Sequence, residues 1–150
     1  MPSGSIVFVD TNVLLYSIDS RDPVKRDAAA VWIAHCWRDE CGRISTQVLN
    51  ELYANLRRVA PSHERAAARD FVRRYRSWSP WLVDDGTVDL AWHLEDRIAI
   101  NYWDALMVAA AQQQACSHLL TEDLQHGQQI DGLRVVNPFM ATPESLQESS

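Results

Sequence analysis

A chain of 150 residues, 47% hydrophobic and 23% charged, has the composition of one soluble globular domain, long enough to bury most of the surface its unfolded form exposes. No segment has the length of a membrane span, and Ile6-Val7-Phe8-Val9, cut short by Asp10, reads as no signal peptide. The formal net charge of -6 excludes a protein that coats nucleic acid over its whole surface, yet between Arg57 and Arg76 seven arginines meet two acids, a local +5 that leaves -11 elsewhere.

The continuous β-branched and aromatic run at residues 6–9 predicts a strand buried on both faces. Asp10-Thr11-Asn12 ends it with residues that cap a short apolar helix, Val13-Leu14-Leu15-Tyr16-Ser17. Pro23 starts a second helix, with Val24, Ala28, Val31 and Trp32 as its buried stripe. Cys36, Cys41 and Cys116 are odd in number and unpaired in spacing, which points to reduced thiols in a cytoplasm rather than a zinc site.

Arg43-Ile44-Ser45 is a short strand candidate. Ser45 or Thr46 caps a third helix with the stripe Leu49, Leu52, Tyr53 and Leu56. Pro61-Ser62 separates it from a fourth helix, apolar at Ala67, Phe71, Val72 and Tyr75. Arg65, Arg69, Arg73 and Arg76 recur on the opposite face. That face reads equally as a solvated helix surface or as a track for a phosphate backbone.

Trp81-Leu82-Val83 is read as a small strand and Asp84-Asp85-Gly86 as a turn. A fifth helix follows with Val88, Ala91, Trp92, Ile98 and Ala99 inward, closing at Asn101. The sixth, from Tyr102, is apolar on every side from Leu106 to Ala111 and predicts a buried helix with Asp104 in its first turn. His118-Leu119-Leu120-Thr121 is a strand, residues 122–132 a loop, and Leu133-Arg134-Val135-Val136 the last strand. Residues 1–140 form the domain, and 141–150 a polar tail expected to be loose. Short apolar strands alternating with helices predict a single α/β domain: a mainly parallel sheet of about five strands, helices on both faces.

In such sheets ligands bind at the carboxyl ends of the strands. Asp10 and Glu122-Asp123 follow strands and Asp104 opens the core helix. Each alone reads as a cap or turn residue. Gathered together, mutually repelling carboxylates require a bound cation or a shared proton, and all-oxygen ligands select Mg²⁺ or Mn²⁺. No Gly-rich phosphate loop, dinucleotide fingerprint or nucleophile elbow is present, and the single lysine, Lys25, lies on a helix assigned far from any strand end.

Val9-Asp10-Thr11-Asn12 after a first strand resembles the opening of PIN-domain ribonucleases. Tyr102-Trp103-Asp104-Ala105-Leu106, running into Val108-Ala109-Ala110-Ala111, resembles their core-helix motif, and Leu120-Thr121-Glu122-Asp123-Leu124 their last acidic turn. Size and element order are similar to VapC-type toxins of toxin–antitoxin pairs. The resemblance implies a Mg²⁺- or Mn²⁺-dependent endoribonuclease in the cytoplasm, with an RNA substrate, a cognate antitoxin, a homodimeric state and no membrane. It implies Asp10, Asp104 and Asp123 as metal ligands and adds Glu51 as a fourth catalytic acid, which helical periodicity alone leaves in solvent. It favours Asp123 over Glu122 as ligand, with Glu122 supporting. Thr11, Asn12 and Thr121 are placed to orient the acids, and Arg65, Arg69, Arg73 and Arg76 to meet RNA. A reading of another class keeps the fold as a non-catalytic binding module for RNA or a protein, anchored by Trp32, Trp37, Trp78 or Trp81.

Overall fold

The computed structural model describes residues 4–59 and 64–148, so the predicted break at Pro61-Ser62 lies outside the described residues. Five strands form one sheet: β1 (Val7–Val9), β2 (Gly42–Arg43), β3 (His118–Leu120), β4 (Gln129–Ile130) and β5 (Leu133–Val136), in the order β2-β1-β3-β5-β4. The pairs β1–β2, β1–β3 and β3–β5 are parallel, and β4 closes one edge antiparallel to β5. Val7, Phe8 and Val9 are all fully buried, so β1 is covered on both faces, which its unbroken apolar run anticipates. Among the described residues six α-helices accompany the sheet: α1 (Thr11–Tyr16), α2 (Pro23–Arg38), α3 (Thr46–Val59), α4 (Arg65–Arg74), α5 (Asp85–Arg97) and α6 (Tyr102–Gln113).

The core helix is as expected: Ala105 through Ala111 are buried without interruption. It packs along α5, joined by a short connection in which Asn101 caps α6 rather than ending α5. On the other helices the predicted stripes hold in part, with Trp32, Leu52, Leu56 and Ala91 buried as expected and individual positions turned outward. In α2, Val24 is 81% and Val31 52% exposed, while Ala29, Trp32, Ile33 and Cys36 face the core. Alanines 28–30 give no contrast to fix the phase; Ile33 and Cys36 fix it. In α3 the buried line is Val48, Leu52 and Leu56, with Leu49 and Tyr53 half-buried beside it, and Ser45 supplies the cap by accepting from the Val48 N–H at 3.4 Å. In α4 the buried alanine is Ala68, not Ala67, and Tyr75 lies in a following 3-10 turn, Tyr75–Trp78. In α5, Trp92 points outward and Thr87, Ala91 and Leu94 are buried; Ala99 lies beyond the helix and is exposed.

Residues 81–83 are not a strand. Trp81 makes one isolated bridge to Ser45, Leu82 is 70% exposed, and Asp84 caps α5 by accepting from the Thr87 N–H. The fifth strand is instead β4, inside the stretch read as a loop. Asp131 and Gly132, both at positive φ, form the two-residue turn of the β4–β5 hairpin. Gly42 is required where β2 passes the Trp78 ring: a Cβ there would stand 2.7 Å from the ring carbons. The tail is not loose up to residue 148: Pro143–Glu148 is a 3-10 helix with Leu146 buried, and Trp32 Nε1 donates to the Ala141 carbonyl. No helix among the described residues is long and apolar enough to cross a membrane.

Candidate active site

The chain leaves β1 toward β2 on one side and returns as β3 on the other, so the carboxyl ends of β1 and β3 flank the point where strand order reverses. Asp10 follows β1 there, and its N–H donates to the Leu120 carbonyl at 3.0 Å, which locks it beside the end of β3. Its side chain is buried, and Oδ2 accepts from the Thr121 hydroxyl at 2.7 Å. The same hydroxyl oxygen accepts from the Asp123 N–H at 3.1 Å, so Thr121 couples the first acid to the last acidic turn.

Asp104 stands three residues past the cap of α6. Asn101 accepts from the Asp104 N–H at 2.9 Å and donates from Nδ2 to Asp104 Oδ2 at 2.8 Å. The helix is thus capped by Asn101, and Asp104 is held by the cap rather than serving as one. Asn12 donates to Asp123 Oδ2 at 3.4 Å. Asp10, Asp104, Met107, Leu119, Thr121 and Leu124 line a narrow crevice with an apolar floor.

Glu51 joins this group, against the expectation from helical phase. The Thr11 hydroxyl donates to its Oε1 at 2.8 Å, and Gln47 Nε2 donates to its Oε2 at 3.3 Å. The packing of α1 on α3 brings Thr11 to a residue that α3 alone would leave in water. Glu122 takes no part in the cluster. The Tyr16 hydroxyl donates to it at 2.6 Å and Lys25 Nζ lies 3.1 Å away, so its carboxylate is neutralised on the flank. Lys25 is therefore beside the acidic turn rather than remote from the strand ends, and its ammonium also sits 4.9 Å from the Tyr16 and Phe139 ring centres.

Electrostatics ties the four remaining acids together. Burial raises Asp10 to about 7, and repulsion from Asp123, Asp104 and Glu51 adds to it while the Thr121 hydrogen bond opposes. Asp104 is raised as well, by burial and then by Asp123 and Glu51, against its bond from Asn101. None of Asp10, Glu51, Asp104 and Asp123 is ion-paired to a cationic side chain among the described residues. All-oxygen donors of this charge suit a hard divalent ion. Among the described residues, however, no three acidic, histidine or cysteine side chains are gathered tightly enough to hold one in this arrangement. The hydrogen bonds from Thr121, Asn101 and Thr11 hold their acids where they stand.

The remaining residues singled out in the sequence lie elsewhere. Arg65, Arg69, Arg73 and Arg76 are exposed on α4 and the turn after it; Arg73 pairs with Asp70 at 2.8 Å, and Arg69 lies 5.8 Å from the Tyr53 ring centre on α3, the helix of Glu51. Of the suggested aromatic anchors, Trp32 and Trp78 are core, Trp81 is half-buried, and Trp37 packs on Tyr75 and Trp78. Trp37 is nonetheless 39% exposed, and Trp92 and Trp103 are more exposed still. A cavity of about 440 Å³ lined by His35, Asp39 and Cys41 lies at the opposite end of β1 from the acids.

The molecule is thus an open α/β domain with an acidic crevice at the reversal point of its sheet. The chain belongs to the PIN domain family, which it matches over residues 7–129. Its fold is similar to that of a chain in a toxin–antitoxin complex from Klebsiella pneumoniae, with a TM-score of 0.55, 20% identity, and 89% of this chain and 98% of that one covered. It is also similar to the Mycobacterium tuberculosis toxin VapC20, which cleaves the sarcin–ricin loop, with a TM-score of 0.52, 18% identity, and 75% and 86% covered. No curated protein matches the sequence.

Proposed function

We propose that this PIN domain is a Mg²⁺- or Mn²⁺-dependent endoribonuclease and the toxin half of a toxin–antitoxin pair. The observation that carries the nuclease reading is the convergence of Asp10, Glu51, Asp104 and Asp123 from separate segments without a cationic side chain to balance them. A fold need not keep such repulsion unless a ligand offsets it. Asp10, Asp104 and Asp123 would hold the ion, with Glu51 beside them. When bound, a hard divalent cation supplies positive charge to the scissile phosphate and lowers the pKa of an attacking water.

The protein's own groups prepare that site. Thr121 holds the buried Asp10 in one rotamer and, through the same hydroxyl, fixes the backbone of Asp123. Asn101 and Asn12 orient Asp104 and Asp123, and Thr11 and Gln47 restrain both oxygens of Glu51. Lys25 and Tyr16 draw Glu122 aside, while Asp123 has no cationic partner among the described residues and adds to the repulsion on Asp10 and Asp104. Such supporting bonds typically matter 10- to 100-fold in affinity or rate. Similarity to a toxin of an antitoxin complex and to VapC20 supports an antitoxin partner and an RNA substrate for this chain. A homodimer is part of the same reading.

The test is cleavage of total cellular RNA. Wild-type protein is expected to cut in Mn²⁺ and to stop in excess chelator, and Asp10→Asn to be inactive in both. Cutting that persists in chelator with Asp10→Asn fully active refutes the reading.

A further inference from the structure

Trp103 is 60% exposed in the first turn of α6, immediately before Asp104. Exposure alone says little, since Trp92 is 55% exposed on α5. Trp103 differs in how it is anchored. Its carbonyl accepts from Gln47 Nε2 at 3.2 Å, and that same nitrogen donates to Glu51 Oε2 at 3.3 Å. Both neighbours are acceptors, so the amide has one orientation, and its Oε1 is left buried without a partner. The backbone of Trp103 is therefore tied through one side chain to the acidic group. Tyr102 packs against the indole at 5.3 Å, ring edge to ring face, while more than half of the side chain stays open to solvent.

Without a bound ion the acidic crevice repels the phosphates of an approaching strand, and an aromatic face at its rim attracts by a contact other than charge. The exposed indole face provides that, because stacking on a nucleobase is indifferent to the sign of the surrounding field. We propose that Trp103 is a stacking platform for one unpaired base of the RNA, beside the phosphate that the acids address. The inference rests on the ribonuclease reading and adds a preference to it. A base already paired and stacked in a helix has no free face, so the platform favours single-stranded segments, loops and ends. A protein partner fits less well: the exposed ring sits next to the half-buried Asp104 carboxylate, which a polypeptide would have to bury further.

The experiment measures affinity in chelator, where no cutting is expected, for a fluorescent oligoadenylate and for a strand of equal length and charge made of abasic residues. Wild type is expected to prefer the base-bearing strand by roughly 5- to 150-fold, the range that base–aromatic stacking gives on alanine substitution. Trp103→Ala is expected to lose most of that preference and Trp103→Phe to keep part of it. The salt dependence should stay unchanged in both, because no phosphate contact is removed. Full discrimination retained by Trp103→Ala overturns the proposal. So does an unchanged RNA affinity accompanied by loss of self-association in sedimentation, which would make the indole a protein contact. Cleavage in Mn²⁺ reports separately on the underlying reading: a wild type that cuts while Trp103→Ala still discriminates loses the platform alone, and one that neither cuts nor discriminates loses both.

Discussion

Asp104 carries two roles that a sequence cannot separate, since an acid in the first turn of a helix is stabilised by the dipole whether or not it serves a site. In the structure the capping bond belongs to Asn101, which accepts from the Asp104 N–H, and the Asp104 carboxylate is free of that duty. Its pKa is raised by burial and by Asp123 and Glu51, so ionising it costs free energy that an ion would return. Asp104→Asn is therefore expected to leave the metal-free protein at least as stable as wild type. In millimolar Mn²⁺ the wild type should gain by mass action, ~2.7 kcal/mol at a hundredfold excess over the dissociation constant, and the variant less. Paired thermal melts in chelator and in Mn²⁺ measure this. Equal metal-induced shifts for the two proteins would mean that Asp104 is no ligand. Glu122 shows the opposite case: an acid adjacent to Asp123 that is balanced by Lys25 and Tyr16 has no such debt.

Among the elements, α4 is the one whose surface does not follow from the core. Its arginines are exposed, but Arg73 is already paired with Asp70 and Arg69 lies against Tyr53. A surface pair of this kind is worth little and is easily exchanged for a phosphate. Replacing Arg65, Arg69 and Arg73 with Gln is expected to weaken RNA binding and to lower the slope of log affinity against log salt by about one to three. An unchanged slope would assign the face to solvent. Other elements show what periodicity does and does not specify. The buried α6 is legible because every position from Ala105 to Ala111 is apolar, leaving no phase to choose. The phase of α2 is not, because three consecutive alanines fit either side. The β4–β5 hairpin is local in origin: Asp131-Gly132 between Ile130 and Leu133 is the residue pair that a two-residue turn with both φ positive demands.

At the scale of the molecule, the acidic body with one basic helix suits a protein kept from binding nucleic acid indiscriminately. The toxin reading adds that its activity must be restrained by a partner. Expression of the chain alone is expected to arrest growth of a bacterial host, with rescue by a small co-expressed neighbour. A harmless protein that still cuts RNA in vitro would remove the toxin assignment and leave the enzyme. The sheet order makes the site possible in either case, because only the reversal between β2 and β3 around β1 sets Asp10 beside Thr121 and Asp123.

By itself the sequence determined the α/β class, the buried first strand and core helix, and the acids at strand ends, since each follows from local pattern: unbroken apolar runs and polar residues that stop them. Local pattern left Glu51 in solvent and did not separate Glu122 from Asp123; the family resemblance pointed to Glu51 and Asp123, and only the tertiary structure supplies the contacts that bring Glu51 to those acids and draw Glu122 away. The first depends on Thr11 reaching across from α1 to α3, and the second on Lys25 and Tyr16 meeting the turn after β3. Helical phase says which face of a helix turns inward, but not which neighbouring side chain waits for a residue at the edge of that face. Proximity and desolvation between residues distant in the chain set those choices, and neither is written in any local period.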